Sequence, residues 1–384
     1  MRLRKISYIE KKGTPNEWKL EDLTLGGINL IVGKNATGKT RALNVIKYLA
    51  TLVAGDNKPV FTSAHFNAEF VNNNNDVIVY SLEVEDAHVV HEQFKINGQI
   101  LLERVRDGVG KIYTESTKQD IKFQTPDDTL AIVARRDKIQ HSFFEPLYEW
   151  SKSVHHYSFG SPLGKDSLVS IKNNIVNDHQ LQFDLMNKDM VVAAFNEGVK
   201  RFSEAFKGAI IKDMESIGYN ISNIGIKPVS FSISDEISGP FLSLFVMEDG
   251  LNGEIDQTSI SQGMFRALSV IIQINYAALT SKPSCILIDD IGEGLDFDRS
   301  CRMIELLVNK AKNDAIQLIM STNDRFVMNS VPLENWTVLQ RDGGTCRVSN
   351  YENSKDKFEE FKFTGLNNFD FFAIDFLNSE IIDE

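Results

Sequence analysis

Residues 33–40 constrain what this chain can fold into more than any other part of the sequence. They fit the pattern GxxxxGK[ST] at every fixed position, reading Gly-Lys-Asn-Ala-Thr-Gly-Lys-Thr. The apolar stretch INLIV precedes them, and apolar residues follow at helical spacing, at positions 43, 45, 46, 49 and 52. This order of strand, glycine-rich loop and helix predicts a phosphate-binding loop at the edge of an α/β sheet. A chance lysine in a glycine-rich turn would not need the flanking strand and helix.

Each fixed residue of the loop has a chemical reason. Gly33 and Gly38 let the backbone curl so that its N–H groups face phosphate oxygens. Lys39 is expected to reach the β- and γ-phosphates of ATP, and the Thr40 hydroxyl to ligate Mg²⁺. ATP and Mg²⁺ are therefore the predicted cofactors. The predicted nucleotide contacts of the loop are Gly33, Lys34, Asn35, Ala36, Thr37, Gly38, Lys39 and Thr40.

A second motif is the apolar run Cys285–Ile288, which ends in Asp289 and Asp290. A buried strand places such carboxylates at the carboxyl edge of a sheet, where nucleotides bind. Asp289 is expected to hold Mg²⁺, and Asp290 to polarise the attacking water. Two solvated aspartates at the end of a strand are the alternative. The phosphate-binding loop elsewhere in the chain favours the catalytic interpretation.

The third motif, Ser261-Gln262-Gly263, precedes the acidic strand by 28 residues, from 261 to 289. A serine hydroxyl and a glycine N–H at the start of a helix can form an anion site. Taken alone, Ser261 would be interpreted as an ordinary helix N-cap. The order and spacing of the three motifs favour a functional role.

Together with Gly294-Leu295-Asp296 and Asn323, these motifs resemble the soluble ABC ATPases related to the SMC, double-strand-break-repair and OLD proteins. The resemblance implies an α/β ABC ATPase head with a P-loop, a mixed core sheet, an N-terminal antiparallel β-lobe and a helical insertion. It also implies that two subunits close around ATP. Ser261 and Gly263 would then clamp the γ-phosphate of the other subunit's ATP. Asp296 would lie at the dimer interface, in the D-loop.

Three residues depart from the family pattern. Asp290 replaces the usual glutamate, Gln262 replaces a signature glycine, and Asn323 stands where the γ-phosphate switch is usually histidine. Asn323 can donate a hydrogen bond but cannot carry a proton. We therefore expect an ATPase with slow hydrolysis, whose catalytic residues are Lys39, Asp290 and Asn323. Glu293 is the alternative base.

Other nucleotide contacts are less well indicated by the sequence. Trp18 could stack on adenine or anchor the sheet, and these two interpretations are equally supported. Asn67 is a candidate for the Q-loop of the family. The pair Arg135-Arg136 could form a basic contact, although adjacent arginines usually belong to a solvated face.

The pattern along the chain predicts one ABC-type ATPase domain over residues 1–384. It consists of a P-loop part at 1–60, an antiparallel β-lobe at 61–135, a helical insertion at 136–225, and a part at 226–384 with the signature, the acidic strand and the C-terminus. Six phenylalanines lie between positions 361 and 376. This tail either packs as a final helix on the sheet or contacts a partner.

Charge and composition limit the partners. The net charge of −12 argues against coating nucleic acid through the bulk field, although a local basic groove remains open. With three dispersed cysteines and no signal peptide or membrane-spanning run, we expect a cytoplasmic protein without a membrane partner. Too little chain follows Asn323 for a nuclease domain. The resemblance to stand-alone ATPases of anti-phage systems implies a separate effector, a nuclease or toxin, regulated by an ATP-bound homodimer or higher oligomer. The alternatives are a DNA-binding repair or genome-maintenance ATPase, and an ATP-gated scaffold with negligible turnover.

Overall fold

The computed structural model describes residues 1–167, 169–170, 189–229, 241–280, 284–312 and 316–378. The chain forms two compact units. Unit 1 consists of Met1–Val154, Gln317–Asn323 and Val331–Glu384, and unit 2 consists of His155–Ile316 and Asp324–Ser330. The boundaries of these two units differ from those of the four parts predicted from the sequence. The boundaries of the four parts stay a prediction.

The described residues form both strands and helices, with the strands β4 to β9 in direct succession. The strands are β1 Arg2–Glu10, β2 Trp18–Thr24, β3 Ile28–Val32, β4 Ser63–Val71, β5 Val77–Glu85, β6 His88–Ile96, β7 Gln99–Val105, β8 Val109–Thr114, β9 Gln119–Gln124, β10 Val154–Ser158, β11 Val169–Ser170, β12 Ile221–Val229, β13 Phe241–Glu248, β14 Ile255–Asp256, β15 Ser284–Asp289, β16 Ile316–Ser321, β17 Trp336–Asp342 and β18 Thr345–Asn350. The helices are α1 Lys39–Val53, α2 Ala131–Ala134, α3 Glu145–Lys152, α4 Val191–Ser216, α5 Gln262–Leu279, α6 Phe297–Ala311, α7 Arg325–Ser330, α8 Lys355–Lys362 and α9 Asn368–Ala373.

Unit 1 is built on a mixed sheet in the order β16-β3-β17-β18-β2-β1-β4-β5-β6-β7-β8-β9. Strand β3 has parallel neighbours on both sides, β16 and β17. Parallel strands covered on both faces are apolar throughout, and every residue of β16 is buried. The five apolar residues predicted to line α1 are likewise buried, at positions 43, 45, 46, 49 and 52.

The outer half of this sheet is an antiparallel lobe, in which β4 to β9 pair in chain order. Buried residues alternate along β5, as expected for a strand with one covered face. The turn at Asn97-Gly98 joins β6 to β7, with φ angles of 49° and 82°. Positive φ at both turn residues is the requirement of a tight type I′ hairpin, which explains the Asn-Gly pair.

A buried charged network fixes one loop onto this lobe. Arg104 and Glu92 are both fully buried, 3.6 Å apart. Arg104 donates to the carbonyl oxygens of Thr129 and Pro126, while Glu92 accepts from the backbone N–H of Ala131 at 2.6 Å. Burial raises the pKa of Glu92. Because unpaired buried charges are costly, these bonds hold the loop in one arrangement.

Unit 2 contains the β11-β13-β12 sheet, with β14 paired to β13, and the buried strand β15. Helix α6 buries residues at helical spacing, namely Ser300, Met303, Ile304, Leu307 and Ala311. This spacing gives it one apolar face and one solvated face. Helix α5 is buried along nearly all of its length.

The predicted α/β class with a mixed core sheet and an antiparallel lobe is confirmed. The sequence interpretation missed β2 and the hairpin of β17 and β18, and it overstated the helix content of residues 136–225, which also contain β10 and part of β12. Part of that predicted insertion, residues 168 and 171–188, lies outside the described residues. None of the helices among the described residues has the length and apolar character needed to cross a bilayer.

Candidate functional site

The glycine-rich loop of unit 1 joins β3 to α1 as a tight turn. Thr37 donates from its N–H and its hydroxyl to the carbonyl oxygen of Lys34, at 3.3 and 2.9 Å. The residues at the tip, Lys34, Asn35 and Ala36, are exposed. Ala36 adopts a φ of 64° and Gly38 a φ of 111°, both in the left-handed region. The curl predicted from the two glycines is therefore present.

Both glycines of the pattern are required by their surroundings. A β-carbon on Gly33 would lie 2.6 Å from the Thr37 hydroxyl oxygen and 2.8 Å from the Leu339 carbonyl oxygen. A β-carbon on Gly38 would lie 3.3 Å from Cζ2 of Trp18. The Gly33 contacts leave no room for a side chain unless the loop moves, whereas at Gly38 a small shift of the indole would relieve the contact and the φ of 111° is the main obstacle.

Lys39 points back into this loop. It is the first residue of α1 and is 7% exposed. Its ammonium donates to the carbonyl oxygens of Gly33 at 2.8 Å and Lys34 at 3.3 Å. A lysine ammonium, a helix N-terminus and turned backbone N–H groups together favour an anion. Thr40 is exposed at the same helix start, where its hydroxyl is available to a metal ion.

Trp18 lies in the wall of the loop and is 3% exposed. Tyr8 packs against its ring, and the Arg41 guanidinium stacks 4.0 Å above its centroid while pairing with Glu10 at 2.5 Å. This burial supports the sheet-anchor interpretation of Trp18 over direct stacking on adenine. Arg41, one residue after the loop, was not singled out from the sequence.

The carboxyl ends of neighbouring parallel strands bring Asn323 to the edge that carries the loop. Ser321 of β16 stands opposite Ile31 of β3, and the exposed Asn323 follows two residues later. From the other neighbour, β17, Arg341 donates to the Ala36 carbonyl oxygen at 3.3 Å. Arg341 was also missed, because a lone arginine at a strand end carries no recognisable pattern.

Cys346 lies beside the loop, and its thiol is buried. Cys346 Sγ would be 3.6 Å from a β-carbon on Gly38, and burial raises the pKa of this thiol to about 11. The thiol is therefore protonated at neutral pH and brings no negative charge to the predicted anion site.

The acidic strand lies in unit 2. Asp289 ends β15 and is 3% exposed, and its carbonyl oxygen accepts from the N–H of Phe159 at 2.8 Å. Asp290 follows with a φ of 53°, and its carbonyl oxygen accepts from the N–H of Glu293 at 3.2 Å. Aspartate tolerates this left-handed conformation better than most residues. The turn directs the chain away from the strand into the D-loop.

The signature turn, Ser261–Gly263, also lies in unit 2 and opens α5. The Ser261 hydroxyl accepts from the N–H of Met264 at 3.3 Å, so it caps the helix. Ser261 and Gln262 are exposed. A β-carbon on Gly263 would lie 2.5 Å from the Gly294 carbonyl oxygen, which places the signature turn directly against the D-loop.

Asp296 ends the D-loop and caps α6. Its carboxylate accepts from the N–H of Arg299 at 3.0 Å and forms an ion pair with the Arg299 side chain. The hydrogen bond from this N–H lowers the pKa of Asp296. Asp296 is exposed.

The remaining candidates have structural partners. Asn67 lies on β4 in the lobe, where its side chain accepts from the Ser81 hydroxyl at 2.8 Å. Arg136 pairs with Glu145 at 2.8 Å and stacks on Tyr148, and Arg135 donates to the Gln124 carbonyl oxygen. These contacts explain the residues without a nucleotide.

The structure thus places the predicted site residues in two groups. Unit 1 holds the loop Gly33–Thr40 and Asn323, and unit 2 holds Asp289, Asp290, the signature turn and Asp296. Among the described residues, no cluster of three or more histidine, cysteine, aspartate or glutamate side chains could hold a metal ion by itself.

Comparison with known proteins gives a family and a fold. Residues 28–329 match the family described as "AAA domain, putative AbiEii toxin, Type IV TA system". No curated protein sequence matches the chain.

Solved structures of SMC heads are similar to this chain. The SMC head bound to the C-winged helix domain of ScpA has a TM-score of 0.54 at 15% identity, over 91% of this chain and 98% of that one. The SMC head domain from Thermotoga maritima has a TM-score of 0.45 at 13% identity, over 91% and 99%. The Smc head with an extended coiled coil, bound to the C-terminal domain of ScpA derived from Pyrococcus furiosus, has 0.48 at 14%, over 94% and 99%. The first of these shows that the fold is that of an SMC head.

Proposed function

The chain belongs to the AAA-domain family whose description includes the putative AbiEii toxin, and from this premise we propose that it binds Mg-ATP at Gly33–Thr40, hydrolyses it slowly and dimerises around it. The anti-phage role and the regulated effector described below are part of the same proposal. The family and the SMC-head fold support an ATPase of this general type.

The geometry of the loop is the observation that carries this proposal. The buried ammonium of Lys39 donates to the loop carbonyls of Gly33 and Lys34, and a side chain would be crowded at Gly33 and strained at Gly38. A lysine ammonium is strongly hydrated, so its burial costs free energy unless strong acceptors replace the lost water. A triphosphate would replace the two carbonyl acceptors by stronger, charged ones.

A hydroxyl and a carboxylate are oxygen ligands of the kind that Mg²⁺ takes. This ion is typically held by one or two protein oxygens together with substrate phosphates and water. The Thr40 hydroxyl and the Asp289 carboxylate are the residues we assign to it. When bound, the ion would neutralise charge on the phosphates. Asp290 is the proposed base, and its short side chain is the reason to expect slow turnover.

The dimer is proposed from the exposed signature turn. Ser261 and Gln262 face solvent at the N-terminus of an 18-residue helix, which is a favourable place for an anion. In the proposed dimer this turn contacts ATP in the loop of the other subunit. Each nucleotide would then need residues from two chains.

A mixed-dimer experiment tests this arrangement. Lys39→Ala should abolish ATP binding, and Ser261→Arg should block the opposing clamp while leaving ATP binding intact. When the two inactive variants are mixed, one of the two sites in the heterodimer is complete, so hydrolysis should return in part. Normal ATP binding by Lys39→Ala would overturn the assignment of the loop. Folded variants that form mixed dimers without recovering activity would overturn the shared site.

The biological role is proposed from the family. We assign the chain as the ATPase that controls a separate effector, a nuclease or toxin, in anti-phage defence. The chain should be expressed with the products of the genes beside its own, and plaque formation measured against the Lys39→Ala variant. Protection that does not depend on Lys39 would contradict ATP control. Salt-dependent binding of duplex DNA by the purified chain would instead favour genome maintenance.

A further inference from the structure

Arg266 is a buried arginine on the first turns of α5, three residues after Gly263, and it is 8% exposed. Its three guanidinium nitrogens donate to three different carbonyl oxygens. Nε bonds Ser161 at 3.0 Å, Nη2 bonds Gly160 at 2.9 Å, and Nη1 bonds Glu293 at 3.0 Å. One side chain therefore joins α5 to the turn after β10 and to the residue that precedes the D-loop.

Arginine is suited to this task in a way that other residues are not. Its guanidinium is planar and always charged, and it presents its donors in a fixed fork. A buried charge is tolerated when its donors are satisfied, which here requires all three carbonyls to stay in place. A lysine ammonium at the same position could not reach three acceptors that lie along three edges of a plane.

The backbone also brings the signature turn close to the D-loop, and Arg266 lies against the same turn. A β-carbon on Gly263 would lie 2.5 Å from the Gly294 carbonyl oxygen, and one on Gly294 would lie 2.6 Å from Arg266 Nη1. The signature turn, the guanidinium and the D-loop are thus packed without space between them. A shift of any one of these groups must be accommodated by the other two.

The turn after β10 extends this cluster to the acidic strand. Phe159 donates from its N–H to the Asp289 carbonyl oxygen at 2.8 Å, and the next two carbonyls accept from Arg266. The end of β15, the D-loop and the start of α5 are consequently linked through a single side chain.

We propose that Arg266 is a positioning residue that locks the D-loop to the signature turn, so that Ser261, Gly263 and Asp296 are presented to a partner subunit's nucleotide as one rigid surface. This inference rests on the proposed ATP-bound dimer for its catalytic consequence. The lock itself is a property of the single chain and can be tested without nucleotide.

The variant is Arg266→Met, which keeps an unbranched side chain along the buried stem but is shorter and removes the three donors. Gln257 supplies a matched control, because it is fully buried, its Nε2 lies within 3.1 Å of the carbonyl oxygens of Gly164, Lys165 and Ser167, and its Oε1 accepts from the N–H of Leu244. It holds the neighbouring half of the same segment through contacts separate from Glu293 and the D-loop. Gln257→Met therefore imposes a comparable loss of buried hydrogen bonds, and urea unfolding measures the stability lost by each variant.

Hydrogen exchange of the nucleotide-free chain is the first readout. The N–H groups of Glu293 and Leu295 close the turn around the D-loop, and their protection should fall in Arg266→Met but not in Gln257→Met. Equal protection of these two amides in wild type and Arg266→Met would overturn the proposal. Arg266→Lys, which keeps the charge, should give an intermediate loss and remains informative if the methionine variant does not fold.

ATP hydrolysis is the second readout. Arg266→Met should bind ATP as wild type does, because the loop is untouched, while kcat falls by roughly 10- to 100-fold, the usual effect of a displacement near 1 Å. Gln257→Met should keep its kcat. Equal losses of kcat in the two variants would show a merely structural role. If the wild-type chain hydrolyses no ATP, the proposed function fails in that measurement alone, and hydrogen exchange still decides whether Arg266 locks the D-loop.

Discussion

The indole of Trp18 packs against Gly38. A β-carbon on this glycine would lie 3.3 Å from Cζ2 of the indole, and the glycine has a φ of 111°. The hairpin of β1 and β2 thereby contacts the last glycine of the phosphate-binding loop. The loop's shape depends on a residue that is distant in sequence.

Replacing Gly38 by alanine should therefore distort the loop. The left-handed φ and the contact with Trp18 together should lower the free energy of unfolding by about 1–3 kcal/mol and weaken ATP binding. Urea unfolding and titration with a fluorescent nucleotide measure the two effects. Gly98→Ala is the control, since Gly98 has a φ of 82° with nothing within 4 Å of an added β-carbon. It should lose stability through strain alone and bind ATP normally.

Ala36 offers the opposite test. It has a φ of 64° at the exposed tip of the loop, a conformation that costs a residue with a β-carbon roughly 1 kcal/mol. Ala36→Gly should remove this strain and raise the free energy of unfolding by up to about 1 kcal/mol. Ala209→Gly, at a half-buried position in the regular stretch of α4 that follows the break at Ser203, should lower it by about 0.5–1 kcal/mol. A loss of equal size in both variants would show that Ala36 is unstrained.

The sequence was sufficient to predict the loop because its pattern is local. Gly33, Gly38, Lys39 and the flanking strand and helix lie within one short stretch, and each has a steric or electrostatic reason to be there. Arg266 and Arg341 could not be found in this way. Both arginines donate to backbone carbonyl oxygens of residues that are distant in the chain. Every residue has such a carbonyl, so the sequence does not show which one an arginine will bond.

Trp18 illustrates a different limit. A tryptophan among polar residues is compatible with an exposed stacking platform or with a buried anchor. Periodicity was too weak to identify β2, whose charged neighbours conceal its buried alternation. The contacts of Trp18 with Tyr8 and Arg41 favour the buried anchor over the exposed platform. These contacts depend on how the strands pair and where α1 lies, which the sequence around Trp18 does not reveal.

Asp290 can be tested cleanly as the base because asparagine also tolerates its φ of 53°. Asp290→Asn should bind ATP normally and hydrolyse it about 10²- to 10⁴-fold more slowly, the usual contribution of general acid–base catalysis. Single-turnover hydrolysis and equilibrium binding separate these effects. Asp289→Asn should instead raise the Mg²⁺ concentration needed for turnover. Wild-type hydrolysis by Asp290→Asn would direct attention to Glu293.

The phenylalanine-rich tail divides into buried and exposed rings, which leads to the last prediction. Phe371 is 1% exposed, with its ring centroid 4.6 Å from that of Phe358 and 5.1 Å from that of Phe361. Phe363, in the same tail, is 89% exposed. Phe371→Ala should lower the free energy of unfolding by about 3–5 kcal/mol, because it leaves a cavity among these rings. Phe363→Ala should change it by less than about 0.5 kcal/mol.

This pair of variants separates the two interpretations of the tail better than deletion of residues 366–384, which would remove Phe371 and expose its partners. If Phe371→Ala unfolds no more readily than Phe363→Ala in urea, α9 does not contribute to the core of unit 1. If it does, the exposed side chains of Phe363, Leu366 and Ile374 are the apolar part of the described tail that stays open to a partner.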